Sequence, residues 1–121
     1  MNLGIEGKRV LITGASRGIG AEIARHFAKE GCNISLIARD REKLESVLSQ
    51  ISDSGSSHDL LEINLRDPGA PTRAVNELLS RHETIDIVVH NVGGALGVKD
   101  PLAEVKDWLE VWKFNVGIAI E

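Results

Sequence analysis

The chain has 121 residues, 42% of them hydrophobic and 26% charged, with a net charge of −4. That is enough for one globular domain and not for two. The basic residues are dispersed, so nothing suggests a nucleic-acid footprint, and apolar runs such as 85–89 are short and broken by Asp86, so no membrane span is read.

Met1–Gly7 is a short lead-in, and because the chain reaches Glu6, Lys8 and Arg9 before any long apolar region it is not expected to act as a signal peptide. Lys8–Thr13 reads as a buried strand, because Val10, Leu11 and Ile12 form an unbroken apolar run. The glycine-rich stretch Gly14–Gly20 follows at once and opens a helix. Ile19, Ile23 and Phe27 fall at i, i+4 and i+8 with Ala24 beside them, which predicts an apolar stripe against a sheet. Glu30-Gly31 ends that helix, with Gly31 as its C-terminal cap. Cys32 is the only cysteine, so an internal disulfide is excluded and a cytoplasmic location is expected. It is expected to pack near a strand start.

Asn33–Ile37 is a second strand, followed by Ala38-Arg39-Asp40, in which Asp40 is placed to cap the next helix. Leu44, Val47, Leu48 and Ile51 form the buried stripe of that helix. Residues 52–58 are polar and glycine-bearing and read as a surface loop. Leu60–Ile63 is a third strand, ending at Asn64-Leu65. Pro68 and Pro71 suit a helix start, where a missing N–H costs little, and Val75, Leu78 and Leu79 are its expected buried stripe. Thr84–His90 is a fourth strand and Asn91–Gly97 a glycine-rich loop. Asp100-Pro101 opens a last helix in which Leu102, Val105, Leu109, Trp112 and Val116 share a face.

Short apolar strands alternating with amphipathic helices predict an α/β fold with a doubly wound parallel sheet. Right-handed crossovers favour the strand order 3-2-1-4, and ligands of such sheets bind at the switch point between strands 1 and 4, beyond the carboxyl ends of the strands. The loops there are Gly14–Gly20, Ala38–Asp40, Asn64–Arg66 and Asn91–Gly97. The first of them is a strand, a tight turn and a helix N-terminus, where unpaired N–H groups and the helix dipole attract an anion. Gly14, Gly18 and Gly20 are expected to let a pyrophosphate approach that backbone. Their spacing, G-x-x-x-G-x-G, differs from the G-x-G-x-x-G fingerprint and from a P-loop. No metal site is predicted.

The run Thr13-Gly14-Ala15-Ser16-Arg17-Gly18-Ile19-Gly20 resembles the cofactor motif of the short-chain dehydrogenase/reductase family. Three further stations agree in order. Asn64-Leu65 is similar to the Asp-Val/Leu pair that faces the adenine in that family. His90-Asn91-Val92-Gly93 resembles its Asn-Asn-Ala-Gly motif, and Asn115 in Phe114-Asn115-Val116-Gly117 matches its helix asparagine. The resemblance covers essentially the whole chain and implies a Rossmann-like fold. It implies cofactor contacts from Gly14, Ser16, Arg17, Gly18, Ile19, Gly20, Arg39, Asn64, Leu65, Asn91 and Gly93. Asn64 stands where the family has Asp; its amide oxygen can accept from the adenine amino group without the charge. His90 stands for the first Asn of its motif, either as a packed strand-end residue or in a direct role.

Members that use NAD place an acid at the end of the second strand to bind the ribose. Here Ala38 leaves room for a 2′-phosphate, Arg39 can grip it with two hydrogen bonds, and Arg17 can add a contact. The expected cofactor is therefore NADP(H) in preference to NAD(H), with Asp40 serving as a helix cap.

The resemblance also implies a Tyr-x-x-x-Lys pair and an upstream Ser for proton transfer and carbonyl binding. The chain has no Tyr, and of the family's catalytic tetrad only Asn115 is matched, where it is implied to bind a water in the proton relay. The sheet is expected to be incomplete on the strand-4 side, and the chain to be the N-terminal half of a longer reductase, acting with a small carbonyl or alcohol substrate. That reductase would resemble 3-oxoacyl-acyl-carrier-protein reductases or carbonyl reductases. This chain would supply cofactor binding only and be inactive alone. A homo-oligomer formed through the last helix is expected, with neither nucleic acid nor membrane as partner. The alternative is an NADP-binding module or subunit without turnover. An S-adenosylmethionine site is disfavoured, because that ligand has neither the pyrophosphate nor the 2′-phosphate that the turn and Arg39 address.

Overall fold

A computed structural model of the chain describes residues 3–52, 56–92, 102 and 104–118. Its strands are β1 (Arg9–Thr13), β2 (Asn33–Ala38), β3 (Asp59–Glu62) and β4 (Ile87–Val89), and its helices α1 (Gly18–Lys29), α2 (Arg41–Ile51), α3 (Ala70–Arg81) and α4 (Val105–Trp112). A π-helical turn, Lys113–Gly117, continues α4. The strands form one parallel sheet in the order β3-β2-β1-β4. Val10 lies opposite both Ile34 and Ile87, and Ile12 opposite both Leu36 and Val89. The order is that of the doubly wound, Rossmann-like sheet that right-handed crossovers dictate.

Alternation along the central strands sorts the core into two layers. Val10, Ile12, Ile34 and Leu36 face α1 and α2, meeting Ala21, Ala24, Ala28, Leu44, Val47 and Ile51. Leu11 and Ile37 face α3, meeting Ala74, Leu78 and the loop residue Leu65, with Ile118 packed against the same cluster. Cys32 is fully buried in the first layer, and its thiol donates to the Ile5 carbonyl at 3.3 Å.

Two helices dock on faces rotated from the expected stripes: Ala24 and Leu78 are fully buried and Ile23 and Phe27 pack at the margin of the core as expected, but the centre of each contact shifts to small residues. In α1 the buried residues are Gly20, Ala21, Ala24 and Ala28, while Ile19 is 73% exposed and Ile23 and Phe27 are only partly buried. In α3 they are Ala70, Pro71, Ala74 and Leu78, while Val75 is 39% and Leu79 46% exposed. Small residues let each helix backbone come close to the sheet, and the larger side chains one position round flank the contact. α2 docks on Leu44, Val47 and Ile51 as expected, with Leu48 partly buried. Gly31 has φ +82° and its N–H donates to the Ala28 carbonyl, which makes it the residue that ends α1.

β4 is shorter than the expected span 84–90. Asp86 leaves the ladder because its carboxylate accepts from the Arg9 N–H at 2.9 Å, while its own N–H donates to the Arg9 carbonyl at 3.0 Å. Asp100 and Pro101, the expected start of the last helix, lie outside the described residues, as does the place of the Val116 side chain on its face. Leu102, expected in this helix, is a turn residue before it, since Glu104 is the N-cap and α4 starts at Val105; in the described part, Leu102, Val105, Leu109 and Trp112 are exposed, and α4 buries no side chain.

The amino ends of β1, β2 and β3 share a polar cluster. The Arg9 guanidinium is buried, with Nη1 3.7 Å from Asp59 and 3.1 Å from the Ser57 carbonyl that accepts its proton. Ser35 Oγ donates to Asp59 at 2.6 Å, Arg81 pairs with the same carboxylate at 3.3 Å, and His82 Nε2 lies 2.9 Å from it. Burial pushes the Asp59 carboxyl up, but hydrogen bonds from Ser35, His82 and Arg81 outweigh it and hold it below the usual carboxylate range.

Candidate functional site

At the opposite, carboxyl ends of the strands lies a cavity of about 930 Å³. The strands are parallel and the chain changes winding direction between β1 and β4, so their carboxyl ends meet on this side of the sheet. It is lined by Gly14 and residues 16–19 after β1, 37–43 at and after the end of β2, 62–66 at and after the end of β3, Asn91 and Val92 after β4, and Phe114. Of the expected site residues it gathers Gly14, Ser16, Arg17, Gly18, Ile19, Arg39, Asn64, Leu65 and Asn91.

The glycine turn is built by its neighbours as much as by its own glycines. Thr13 Oγ1 accepts the N–H of Asn91 at 2.9 Å and that of Val92 at 3.2 Å, and donates to the Val89 carbonyl at 3.4 Å. The Asn91 amide donates to the Gly14 carbonyl at 3.1 Å. A Cβ on Gly20 would overlap the Gly14 carbonyl oxygen and stand 2.6 Å from the Asn91 amide nitrogen. Gly20 is therefore needed for the helix to pack against the turn and the β4 loop, and it does not line the cavity. Gly18 is different: its φ is +57°, and a Cβ there would enter open space. Of the three glycines, Gly18 is the one whose bareness keeps the mouth of α1 open. Arg17, the N-cap of α1, offers no side-chain acceptor, and the first turn carries no acid. The first N–H groups of α1 and its dipole are thus left for an anion.

The end of β2 is cationic in a selective way. Asp40 caps α2 by accepting from the Lys43 N–H at 3.2 Å, and Lys43 Nζ stands 3.9 Å from the same carboxylate. Arg41 pairs with Glu45 at 3.1 Å. Arg17 and Arg39, both exposed, make no ion pair among the described residues. Two guanidiniums without an ion pair among the described residues therefore line the cavity beside the small Ala38, and Glu42 and Glu62 stand in the same wall.

The end of β3 supplies Asn64 and Leu65. Asn64 Oδ1 accepts the Arg66 N–H at 3.0 Å, which closes a local turn and leaves one acceptor lone pair on that oxygen. Leu65 lines the cavity by its position in the loop, but its side chain is core, packed with Leu11, Ile37 and Leu78. His90 is exposed and absent from the lining, so the reading of it as a packed residue fails. Gly93 lies outside the described residues. Asn115 is not brought to the cavity lining; its amide donates to the Val111 carbonyl at 2.8 Å within the π-helical turn. Sequence reasoning missed three contributors: the Thr13 hydroxyl, Arg66 and Phe114. Thr13 directly precedes the glycine turn, and Arg66 directly follows Asn64-Leu65; those adjacencies were the available signals.

Residues 8–120 match the family profile described as short chain dehydrogenase. The 2,3-dihydro-2,3-dihydroxybenzoate dehydrogenase of Bacillus subtilis is 39% identical over 118 residues, covering 93% of this chain and 43% of that protein. The 3-oxoacyl-acyl-carrier-protein reductase of Staphylococcus aureus is 36% identical over 87 residues, 71% of this chain and 35% of that protein. Among solved structures, the L-sorbose reductase of Gluconobacter frateurii, complexed with NADPH and L-sorbose, superposes with a TM-score of 0.89 at 31% identity. That match covers 99% of this chain and 46% of the reductase, so the chain spans less than half the length of each of these relatives.

Proposed function

The chain belongs to the short chain dehydrogenase family of oxidoreductases, and on that premise we propose that its cavity holds NADP(H), in preference to NAD(H), for hydride exchange between nicotinamide and a small carbonyl or alcohol. The observation that carries the preference is the pair Arg17 and Arg39, without an ion pair among the described residues at the cavity, while Asp40 is committed to capping α2. A 2′-phosphate satisfies both guanidiniums, and a plain ribose satisfies neither. The uncapped N-terminus of α1 with Gly18 before open space supports a pyrophosphate at the turn. The sorbose reductase, crystallised with NADPH, supports the same choice by analogy.

The cofactor, when bound, supplies or accepts the hydride. The share of these 121 residues is to bind and orient it. The chain has no Tyr, so in this reading the proton-transfer groups come from outside it, with Asn115 as its own contribution to the relay. The similarity to a 3-oxoacyl-acyl-carrier-protein reductase supports reduction of a carbonyl, of that type or of the carbonyl reductase type; in this reading the protein lies in the cytoplasm and, on the exposed Leu109 and Trp112 of α4, in an oligomer joined through that helix. A module that binds NADP without turnover is the second reading, favoured by the same lack of Tyr.

Calorimetric titration of the chain with NADPH and NADH tests the binding claim. Tighter binding of NADPH is expected, and tighter binding of NADH overturns the preference. NADPH oxidation with small carbonyls should be undetectable for the 121-residue chain; turnover by this chain overturns its assignment as the cofactor-holding share.

A further inference from the structure

Four arginines line the cavity, and they are not equivalent. Arg41 is paired with Glu45 along α2. Arg17 and Arg39 have no ion pair among the described residues. Arg66 is committed: its guanidinium carbon lies 5.5 Å from the centroid of the Phe114 ring, and its Nη2 stands 3.9 Å from Glu110. The turn that Asn64 closes through the Arg66 N–H fixes where that side chain begins. A guanidinium already balanced by a carboxylate and a ring is a poor phosphate ligand but a good planar surface.

Phe114 is the single aromatic residue of the lining. If phosphates occupy the α1 N-terminus and the Arg17–Arg39 corner, the part of the cavity left for a base is walled by residues 62–66 and Phe114. A purine binds best where planar groups offer stacking, because every base has a π-face that aromatic and guanidinium planes can cover. We propose that Arg66, held on Phe114 and tied to Glu110, is a positioning residue for the adenine base, forming with Phe114 the stacking wall of the cavity. The inference rests on the nucleotide reading above and deepens it. It assigns a role to a residue pair joining the loop after β3 to the segment after α4.

The test is titration with NADPH, with 2′,5′-ADP as the adenine half and with nicotinamide mononucleotide as the other half. Wild type, Arg66→Ala, Arg66→Lys and Phe114→Leu are compared, each checked by circular dichroism. Arg66 is exposed, so its variants are expected to fold. Arg66→Ala and Phe114→Leu should each weaken 2′,5′-ADP and NADPH about tenfold, the scale of one lost stacking contact. Nicotinamide mononucleotide should bind all four proteins alike. Arg66→Lys keeps the charge and loses the plane, so its affinity for 2′,5′-ADP should fall with that of Arg66→Ala. Wild-type affinity in Arg66→Lys, or an unchanged Kd in Arg66→Ala, overturns the stacking role while leaving the nucleotide reading intact. Failure of the wild-type chain to bind either NADPH or 2′,5′-ADP overturns both.

Discussion

The side-chain amide of Asn91 donates to the carbonyl of Gly14 at 3.1 Å, across the seam between β1 and β4. Its backbone N–H meets Thr13 Oγ1 at 2.9 Å, one residue away on the same turn. The loop after one strand thus holds the glycine turn after another, at the switch point where the chain reverses its winding. Asn91 therefore shapes the site before it touches anything in it. Asn91→Asp puts an acceptor where the Gly14 carbonyl needs a donor. It should cost about 1–3 kcal/mol of stability, read by thermal unfolding, and should weaken NADPH binding with it. Thr13→Val removes the acceptor of two loop N–H groups and should show the same pair of losses. Unchanged melting in both variants would mean that these bonds do not hold the turn.

The glycines separate packing from access. Gly20→Ala drives a methyl into the Gly14 carbonyl and the Asn91 amide, so the turn must open. Gly18→Ala meets nothing within 4 Å and bears only the strain of its φ of +57°, about 1–2 kcal/mol. Thermal unfolding should rank Gly20→Ala well below Gly18→Ala. Nucleotide affinity, measured by titration at a temperature where both are folded, should fall in both, in Gly18→Ala because the methyl occupies the space before the helix N-terminus. An equal melting temperature for the two variants would contradict the packing role of Gly20.

The strand order and the loops that meet at the cavity could be read from the sequence, because period and crossover handedness are properties of the backbone. Helix faces were read less well. Ile19-Ile23-Phe27 and Val75-Leu79 are more hydrophobic than Ala21-Ala24-Ala28 and Ala70-Ala74, yet the alanine rows dock. Hydrophobicity weights the large side chains, whereas close approach to a sheet selects the small ones. In the site, the motif positions around Arg17 and Arg39 were legible, but partners were not. Nothing in the order of residues says that Asn91 reaches Gly14, that Asn64 turns onto Arg66, or that Asn115 folds back on Val111.

Coenzyme choice should respond to a single side chain. Arg39 has no counter-charge among the described residues, so removing it leaves no carboxylate stranded. Arg39→Ala should weaken NADPH by about tenfold or more, the scale of a charge-assisted phosphate contact, and leave NADH nearly unchanged. Ala38→Asp should act in the opposite sense, setting a carboxylate where a 2′-phosphate would lie and raising the relative affinity for NADH. Parallel titrations with the two coenzymes give the ratio directly. Equal losses for NADPH and NADH in Arg39→Ala would show that Arg39 acts as a general phosphate charge.

Acid should destabilise the fold in two steps, each traceable to one side chain at the amino ends of the strands. His58 Nδ1 accepts the Ile34 N–H at 3.0 Å, and burial, followed by the nearby Arg9 charge, lowers the His58 pKa from 6.5. The unfolded chain then takes up a proton before the folded one does, so stability present above pH 6.5 declines as pH falls through that value. Asp59 sits below the usual carboxylate range despite its burial, because Ser35, His82 and Arg81 hydrogen-bond its charged form. Its contribution is complete at neutral pH and is lost as pH drops below about 4 toward its folded value. Melting temperatures recorded from pH 8 to pH 3 should therefore fall first near pH 6 and again in the carboxylate range. His58→Asn keeps an acceptor for Ile34 without a titrating ring and should flatten the first fall. Asp59→Asn should remove the second, and at pH 7 should already cost roughly 2–4 kcal/mol, because it leaves the buried Arg9 without its counter-charge. A first fall of undiminished size in His58→Asn would place its origin elsewhere than in this ring.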